Sequence, residues 1–446
     1  MAAITNDSKP VGYIELIRNN RNFRLAWAGQ VISLTGDWFD LIASATLLGR
    51  LNTSAFSIGL LFVVRMLAPF FVSPLAGPLV DRFNRKYLLI ASDAIRAFIV
   101  LLFLFVQKPG DEWLLYLATG LQLTLSGIYF PARTAILPDI CKPNEVGTAN
   151  AISATTWSVM LAVGAAIGGP AVSLFDVYPS FVVDSLTFGA SALLQAFIHY
   201  DFVPAADAVK ISIQSTIQQY VEGLRFLRHQ ADLFMIAIQK GLMAMIIIGA
   251  FQVIMVTISK QNFVIGTDGT TGLGIMYGMV GLGTGVSPIV MRRFTGDRNR
   301  PMRLSIILGY LVASIAMFVM MPLLTFEMTL VGMFLRGFGL AIIWVFTTQL
   351  LLQLTPARVR GRVFATEFAI QSLGAAAGSF IGGLASDVLD MRSVIMWMGI
   401  IILIPGALWV LWIWLGKTLE TQVADNSMLI PRTPAEKVNQ VPAANK

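Results

Sequence analysis

Gly77-Pro78-Leu79-Val80-Asp81-Arg82-Phe83-Asn84-Arg85-Lys86 joins two long apolar runs, residues 53–76 and 87–106. Runs of that length satisfy their own backbone in lipid only as helices. The charged connection is too short to wander, so the two runs form an antiparallel hairpin. Gly77 is expected to let the helix end approach its neighbours closely, and Arg82, Arg85 and Lys86 to hold the connection at the cytoplasmic face. Asp81 stands as one acid among bases and needs a specific partner.

The rest of the chain has the same character. Of 446 residues, 56% are hydrophobic and 13% charged, with a mean hydropathy of +0.72. Soluble domains carry about 25% charged residues, so this is an integral membrane protein. Helices are expected near 24–48, 56–79, 87–106, 112–131, 149–174, 179–200, 232–258, 271–291, 303–322, 328–352, 363–386 and 393–416. Residues 1–21 hold no apolar core long enough for a cleavable leader. Against this layout, 24 Lys and Arg fall at the termini and in the even-numbered loops, 4 in the odd-numbered loops and 4 inside helices. That asymmetry places both termini in the cytoplasm of a multi-pass protein of the cytoplasmic (inner) membrane. It also accounts for the net charge of +7 without nucleic acid as a partner.

Chemistry that would make the chain an enzyme is not evident. The single Cys141 allows no internal disulfide, and His199 and His229 have no evident catalytic or metal partner. No cofactor and no metal are expected. Gly416-Lys417-Thr418 imitates a phosphate loop, but Leu411 stands where its first Gly is required.

The expected fold class is an all-α membrane protein, twelve helices in two pseudo-symmetric six-helix bundles. The N-terminal bundle takes residues 1–200 and the C-terminal bundle 232–416, with a polar interruption at 201–231 and a disordered cytoplasmic tail at 417–446. Within the interruption, Ile213, Ile217, Tyr220, Val221, Leu224 and Leu227 recur at helical spacing. That is an amphipathic surface helix, with Arg225 and Arg228 free to meet lipid headgroups. Internal echoes support the duplication. Pro138 precedes Ala151-Ile152 as Pro356 precedes Ala369-Ile370, and Gly164–Gly169 is matched by Gly378–Gly383. Arg292-Arg293-Phe294 answers Asp81-Arg82-Phe83 with the acid exchanged for a base. Gly383-x-x-x-Asp387 repeats Gly77-x-x-x-Asp81 without the following Arg. Such repeats underlie carriers in which one half rocks against the other around a midplane site.

The opening stretch, read as Gly-x-x-x-Asp-Arg-x-x-Arg-Lys, resembles the loop signature of the major facilitator superfamily. Gly36-Asp37-Trp38, Phe130-Pro131-Ala132, Ala135-Ile136-Leu137-Pro138, Ala149-Asn150-Ala151 and Arg360-Gly361-Arg362-Val363-Phe364 resemble its efflux branch of macrolide and enterobactin exporters. The resemblance spans roughly residues 12–416. It implies a monomeric twelve-helix export carrier for an amphipathic small molecule, driven by protons. It also implies a cytoplasmic latch of Gly77, Asp81, Arg82, Arg85 and Lys86, with Asp81 against the start of helix 11. The antiporter signature of helix 5 survives only as Gly169-Pro170, and helix 4, drawn over 112–131, contains no Arg. Those departures keep an alternative open: uncoupled or facilitated export, or lipid flipping, on the same fold.

Charges inside membrane helices are costly and mark function by default. Asp37 and Asp40 share a face of helix 1 at i, i+3, with Asp37 roughly 20 Å from the cytoplasmic end. In the family helix 1 lines the central cavity, which implies that both acids lie near water and substrate, where mutual repulsion and desolvation poise them to take up and release a proton; they are the candidates for proton coupling. The competing reading is a permanently ionised pair neutralised by Arg65. Asp93 and Arg96 read as a structural pair, Asp184 as an acid at a helix N-terminus, and Glu367 as a capping residue. Gln122, Tyr129, Lys240, Gln252, Arg336, Trp344 and Gln349 lie on helices that line the cavity in the family. They are the tentative substrate contacts, with packing as the competing role. Lys240 and Arg336 would either meet an anionic substrate or balance acids of the opposite half.

Overall fold

The computed structural model describes residues 11–52, 54–200, 213–296, 298–356 and 359–416. The tail at 417–446 and the first part of the interruption, 201–212, lie outside the described residues. Among the described residues, twelve helices are long and apolar enough to cross a membrane. In chain order the spans are Arg21–Leu51, Ala55–Arg82, Arg85–Phe105, Glu112–Ile140, Val146–Phe175 and Val177–Ala196, followed by Ala231–Gln261, Thr267–Thr295, Asn299–Met320, Phe326–Leu354, Arg360–Val388 and Met391–Trp414. They are called spans 1 to 12 below.

Several starts are capped as the sequence dictates. The side chain of Asn20 accepts from the Phe23 amide, that of Asn84 from Lys86 and Tyr87, that of Thr325 from Met328 and that of Asp390 from Ser393. Span 2 runs through Pro69, Pro74 and Pro78 to Arg82, leaving only Phe83 and Asn84 as the turn of the opening hairpin. Span 4 also outlasts its expected end. Pro131 and Pro138 read as stop signals, yet the helix continues past both to Ile140. Arg133 is therefore a buried residue of span 4, which corrects the expectation that this helix contains no Arg.

The two halves meet at two glycine crossings. A Cβ on Gly59 would stand 2.7 Å from the Ser379 carbonyl and 3.2 Å from Gly383 Cα, so spans 2 and 11 touch backbone to backbone. A Cβ on Gly169 would stand 2.8 Å from Gly274 Cα, and spans 5 and 8 meet likewise. Small residues at such positions allow the van der Waals packing that holds helices together in lipid. Span 7 contains a π-helical stretch, Ala244–Ala250, a local widening common at functional sites. The carbonyl of Ile247 within it accepts from Arg336 of span 10 at 2.6 Å.

The interruption holds a helix, Ile213–His229. Its Gly223 lies against the Arg362 carbonyl at the start of span 11, and Glu222 pairs with Arg362 at 2.8 Å. Leu227 is buried while Arg225 and Arg228 are exposed.

Candidate transport site

A cavity of about 480 Å³ lies between the halves, within the range of small-molecule sites. Its walls are Arg65, Met66, Pro69 and Ser73 of span 2, Leu123 to Pro131 of span 4, Ile248 of span 7 and Phe368 to Ala375 of span 11. Arg65, Pro69 and Ser73 follow Gly59 along span 2, and Phe368 to Ala375 precede Gly383 along span 11. The cavity thus sits on the terminus-bearing side of that crossing. Most of the wall is apolar, and Arg65 is its one charged residue.

Behind Arg65 runs a buried charge network. Arg65 donates to Asp40 at 3.1 Å, and Arg96 to Asp37 at 2.5 Å and to Asp93 at 3.3 Å. Arg96 also lies over the Phe188 ring, 3.8 Å from its centroid. Gln195 of span 6 donates to Asp93 at 2.9 Å and to the Tyr129 hydroxyl at 3.0 Å. The two acids of span 1 are thus divided between two guanidiniums. Asp40 faces Arg65 as one reading expected, while Asp37 takes the Arg96 assigned to Asp93. Asp184 is not at a helix start. It sits about two turns into span 6, fully buried beside this network.

The tentative substrate residues fall elsewhere than the cavity wall. Gln122 is fully buried and Tyr129 nearly so, both inside the N-terminal half. Lys240 pairs with Glu367 at 2.6 Å, donates to Thr348 and lies over the Trp344 ring. It is balanced by its own half, and Glu367 is its ion partner rather than a cap. Arg336 is buried over the Phe251 ring. Gln252 and Gln349 are half-buried, and neither lines the cavity. Sequence reasoning missed the wall itself and the Arg133 cluster, where Arg133 donates to Gln30 of span 1 and at 3.0 Å to Ser153 of span 5. The signal was available in Arg133, had the helix been carried past its prolines.

The expected latch is not engaged. Gly77 is exposed, and a Cβ there would meet nothing within 4 Å, so it makes no close approach in this conformation. Asp81 and Arg82 are exposed, and Arg82 lies over the Phe83 ring. Arg85 bonds the Ala135 carbonyl and the Asp139 carboxylate of its own half, while Lys86 is bound by its amide to the Asn84 cap. Among the described residues Asp81 has no ion pair or hydrogen bond.

The opposite end is joined across the seam. Asp387, at the end of span 11, accepts from the amides of Ala55 and Phe56 at 2.7 and 3.1 Å and from the Ser54 hydroxyl at 2.5 Å. A carboxylate there caps the positive N-terminus of span 2. Arg50 pairs with Asp176 and Asp268, each at 2.6 Å. Both acids hold positive φ, 71° and 52°, a conformation Asp tolerates better than most residues. The Arg50 guanidinium holds the Asp176 carboxyl below the usual carboxylate range. Thr267 bonds Ser173 twice, and Lys260 reaches the Thr46 carbonyl at 3.5 Å.

Two six-span halves, a seam closed at one end and a cavity between them define a membrane transporter rather than an enzyme. The profile of the Major Facilitator Superfamily matches residues 26–366, and the chain belongs to that family. It is 24% identical over 406 residues to BacE of Bacillus subtilis (strain 168), which carries the name of a bacilysin exporter, covering 90% of this chain and 94% of that one. It is 24% identical over 404 residues to the multi-drug resistance efflux pump PmrA homolog of Lactococcus lactis subsp. lactis (strain IL1403), covering 86% and 93%. The match to the MFS-type transporter YfiS of Bacillus subtilis (strain 168) is 27% identical over 215 residues, 48% of this chain and 51% of that protein. Among solved structures, a mutant form of the nucleoside transporter NupG superposes with a TM-score of 0.71 at 12% identity, covering 87% of this chain and 99% of that one.

Proposed function

We propose that the chain is a secondary exporter in the cytoplasmic membrane, both termini cytoplasmic. It expels an amphipathic organic compound by alternating access in exchange for protons. The observation that carries this reading is the position of the cavity. It lies on the same side of the Gly59–Gly383 crossing as the termini, the side that the Lys and Arg excess assigns to the cytoplasm. A cargo loaded from inside enters an apolar pocket with a single guanidinium on its wall. Arg65 connects that pocket to Asp40, and Asp37 sits a turn away on Arg96. Protonation of either acid would weaken its ion pair and shift the balance between the two orientations of the halves. The relatives named for bacilysin and multidrug export support the class of cargo.

In proteoliposomes with an imposed pH gradient, uptake of a labelled amphiphile into inverted vesicles is expected to follow the gradient, and Asp37→Asn to abolish that dependence. Accumulation indifferent to both would remove proton exchange. It would favour uncoupled export or lipid flipping, to which the reduced signature of span 5, Gly169-Pro170, already points.

A further inference from the structure

Around two guanidiniums, Arg65 and Arg96, the N-terminal half gathers four carboxyls, of which Asp40, Asp93 and Asp184 are buried and Asp37 is half-buried. Three of the acids have an ion partner. Asp184 has none among the described residues, although it is completely buried. Its Oδ2 meets no hydrogen-bond donor. Its Oδ1 is 3.3 Å from the Thr187 hydroxyl, which carries one proton and stands closer, at 2.7 Å, to the Asp184 backbone carbonyl. The carboxyl presses on Gly36 of span 1, where a Cβ would run into both Asp184 and Thr187.

The charges bearing on it are Asp37 and Asp40 from span 1 and Arg96 from span 3. Span 5, also packed on span 6, carries no titratable side chain along its length. A bare carboxylate in such a place faces two other anions with half its hydrogen-bonding capacity unmet, a costly arrangement. The neutral acid avoids that cost, and its O–H can be donated to the Thr187 oxygen.

We propose that Asp184 holds an exchangeable proton, as the innermost proton-binding group of the N-terminal half. This deepens the exchange reading above and rests on it for a role in transport. While Arg96 pairs with Asp37, the Asp184 carboxyl keeps its proton. When Asp37 takes up a proton, Arg96 loses that partner and keeps Asp93 alone. Asp184 then releases its own proton to water outside the network and becomes the carboxylate that Arg96 neutralises alongside Asp93. One proton enters and one leaves, and the charge of the network is unchanged.

Infrared titration of the purified full chain in detergent tests the site without cargo or gradient. The wild type is expected to show the carbonyl stretch of a protonated acid that disappears on alkalinisation, and Asp184→Asn to lose that band. Thr187→Val, which preserves shape and removes the acceptor, is expected to shift its frequency. This second variant decides the matter should Asp184→Asn fail to fold. A band intact in Asp184→Asn, an unshifted band in Thr187→Val, or no titrating acid band in the wild type overturns the proposal. Gradient-independent export with the band present removes the exchange reading and leaves the site. Gradient-driven export without the band removes the site alone.

Discussion

The two ends of the seam carry the same short pattern and treat it differently. At the end away from the termini, Gly383-x-x-x-Asp387 closes span 11 onto span 2: the glycine packs on Phe56 and Gly59, and the aspartate caps the helix start. At the terminus-bearing end, the Gly77-x-x-x-Asp81 of span 2 caps no helix: a Cβ on Gly77 would meet nothing within 4 Å, and among the described residues Asp81 makes no ion pair or hydrogen bond. The difference lies in geometry rather than composition, since each Gly-x-x-x-Asp ends one of the two helices that cross at Gly59 and Gly383. If the halves rock about that crossing, only one of the two aspartates caps its neighbour at a time. On that premise the pattern names the residues that would engage, and the conformation would decide when.

The largest effect is expected at the glycine crossings. Gly169→Val or Gly383→Val forces side-chain atoms into facing backbone, at a cost of roughly 1–3 kcal/mol or more. Thiol accessibility of a cysteine placed at Asn52 is expected to rise sharply in either variant. Asp387→Ala removes the cap of span 2, which costs about 1–2 kcal/mol and shifts the population toward the other orientation by roughly tenfold. The same labelling assay reads that shift.

Arg50 makes a smaller, pH-dependent contribution. Asp176 titrates below its ordinary range because Arg50 binds its charged form. Its support of closure is complete above the free-aspartate value of about 3.9 and is lost as pH falls below it. The Asp176-linked part of closure is expected to be level from neutral pH into mild acid and to weaken beyond, and Arg50→Gln to remove that part. Asp81→Asn is expected to leave this conformation untouched, because among the described residues Asp81 has no ion pair or hydrogen bond, and to destabilise only the opposite one.

Most of the fold was legible. Spans of twenty or more apolar residues admit one structure in lipid, and the Lys and Arg distribution follows from that layout. The helix in the interruption announced itself by spacing. The site was less legible, for identifiable reasons. Span 4 was cut short because Pro131 and Pro138 are breakers in isolation, whereas neighbouring helices sustain the backbone past them, and Arg133 was lost with the cut. Asp184 looked terminal because the start of its helix was uncertain, and its burial depends on Gly36, more than a hundred residues away. The cavity wall is mostly apolar side chains, whose composition matches that of any membrane helix. Which of them face the seam is set by the crossing at Gly59 and Gly383, and no local pattern encodes that.

Whether the halves rock is tested by electron–electron distance spectroscopy on spin-labelled pairs. Cys141, the only native cysteine, is buried with its thiol pushed up to about 12 and is replaced by Ser before labelling. One pair joins Phe83 to Thr355 at the terminus-bearing end, and the other joins Asn52 to Leu389 at the closed end. An amphiphile added under changing pH is expected to shorten the first distance while lengthening the second. Two distances that stay fixed, or that lengthen together, would contradict this expectation.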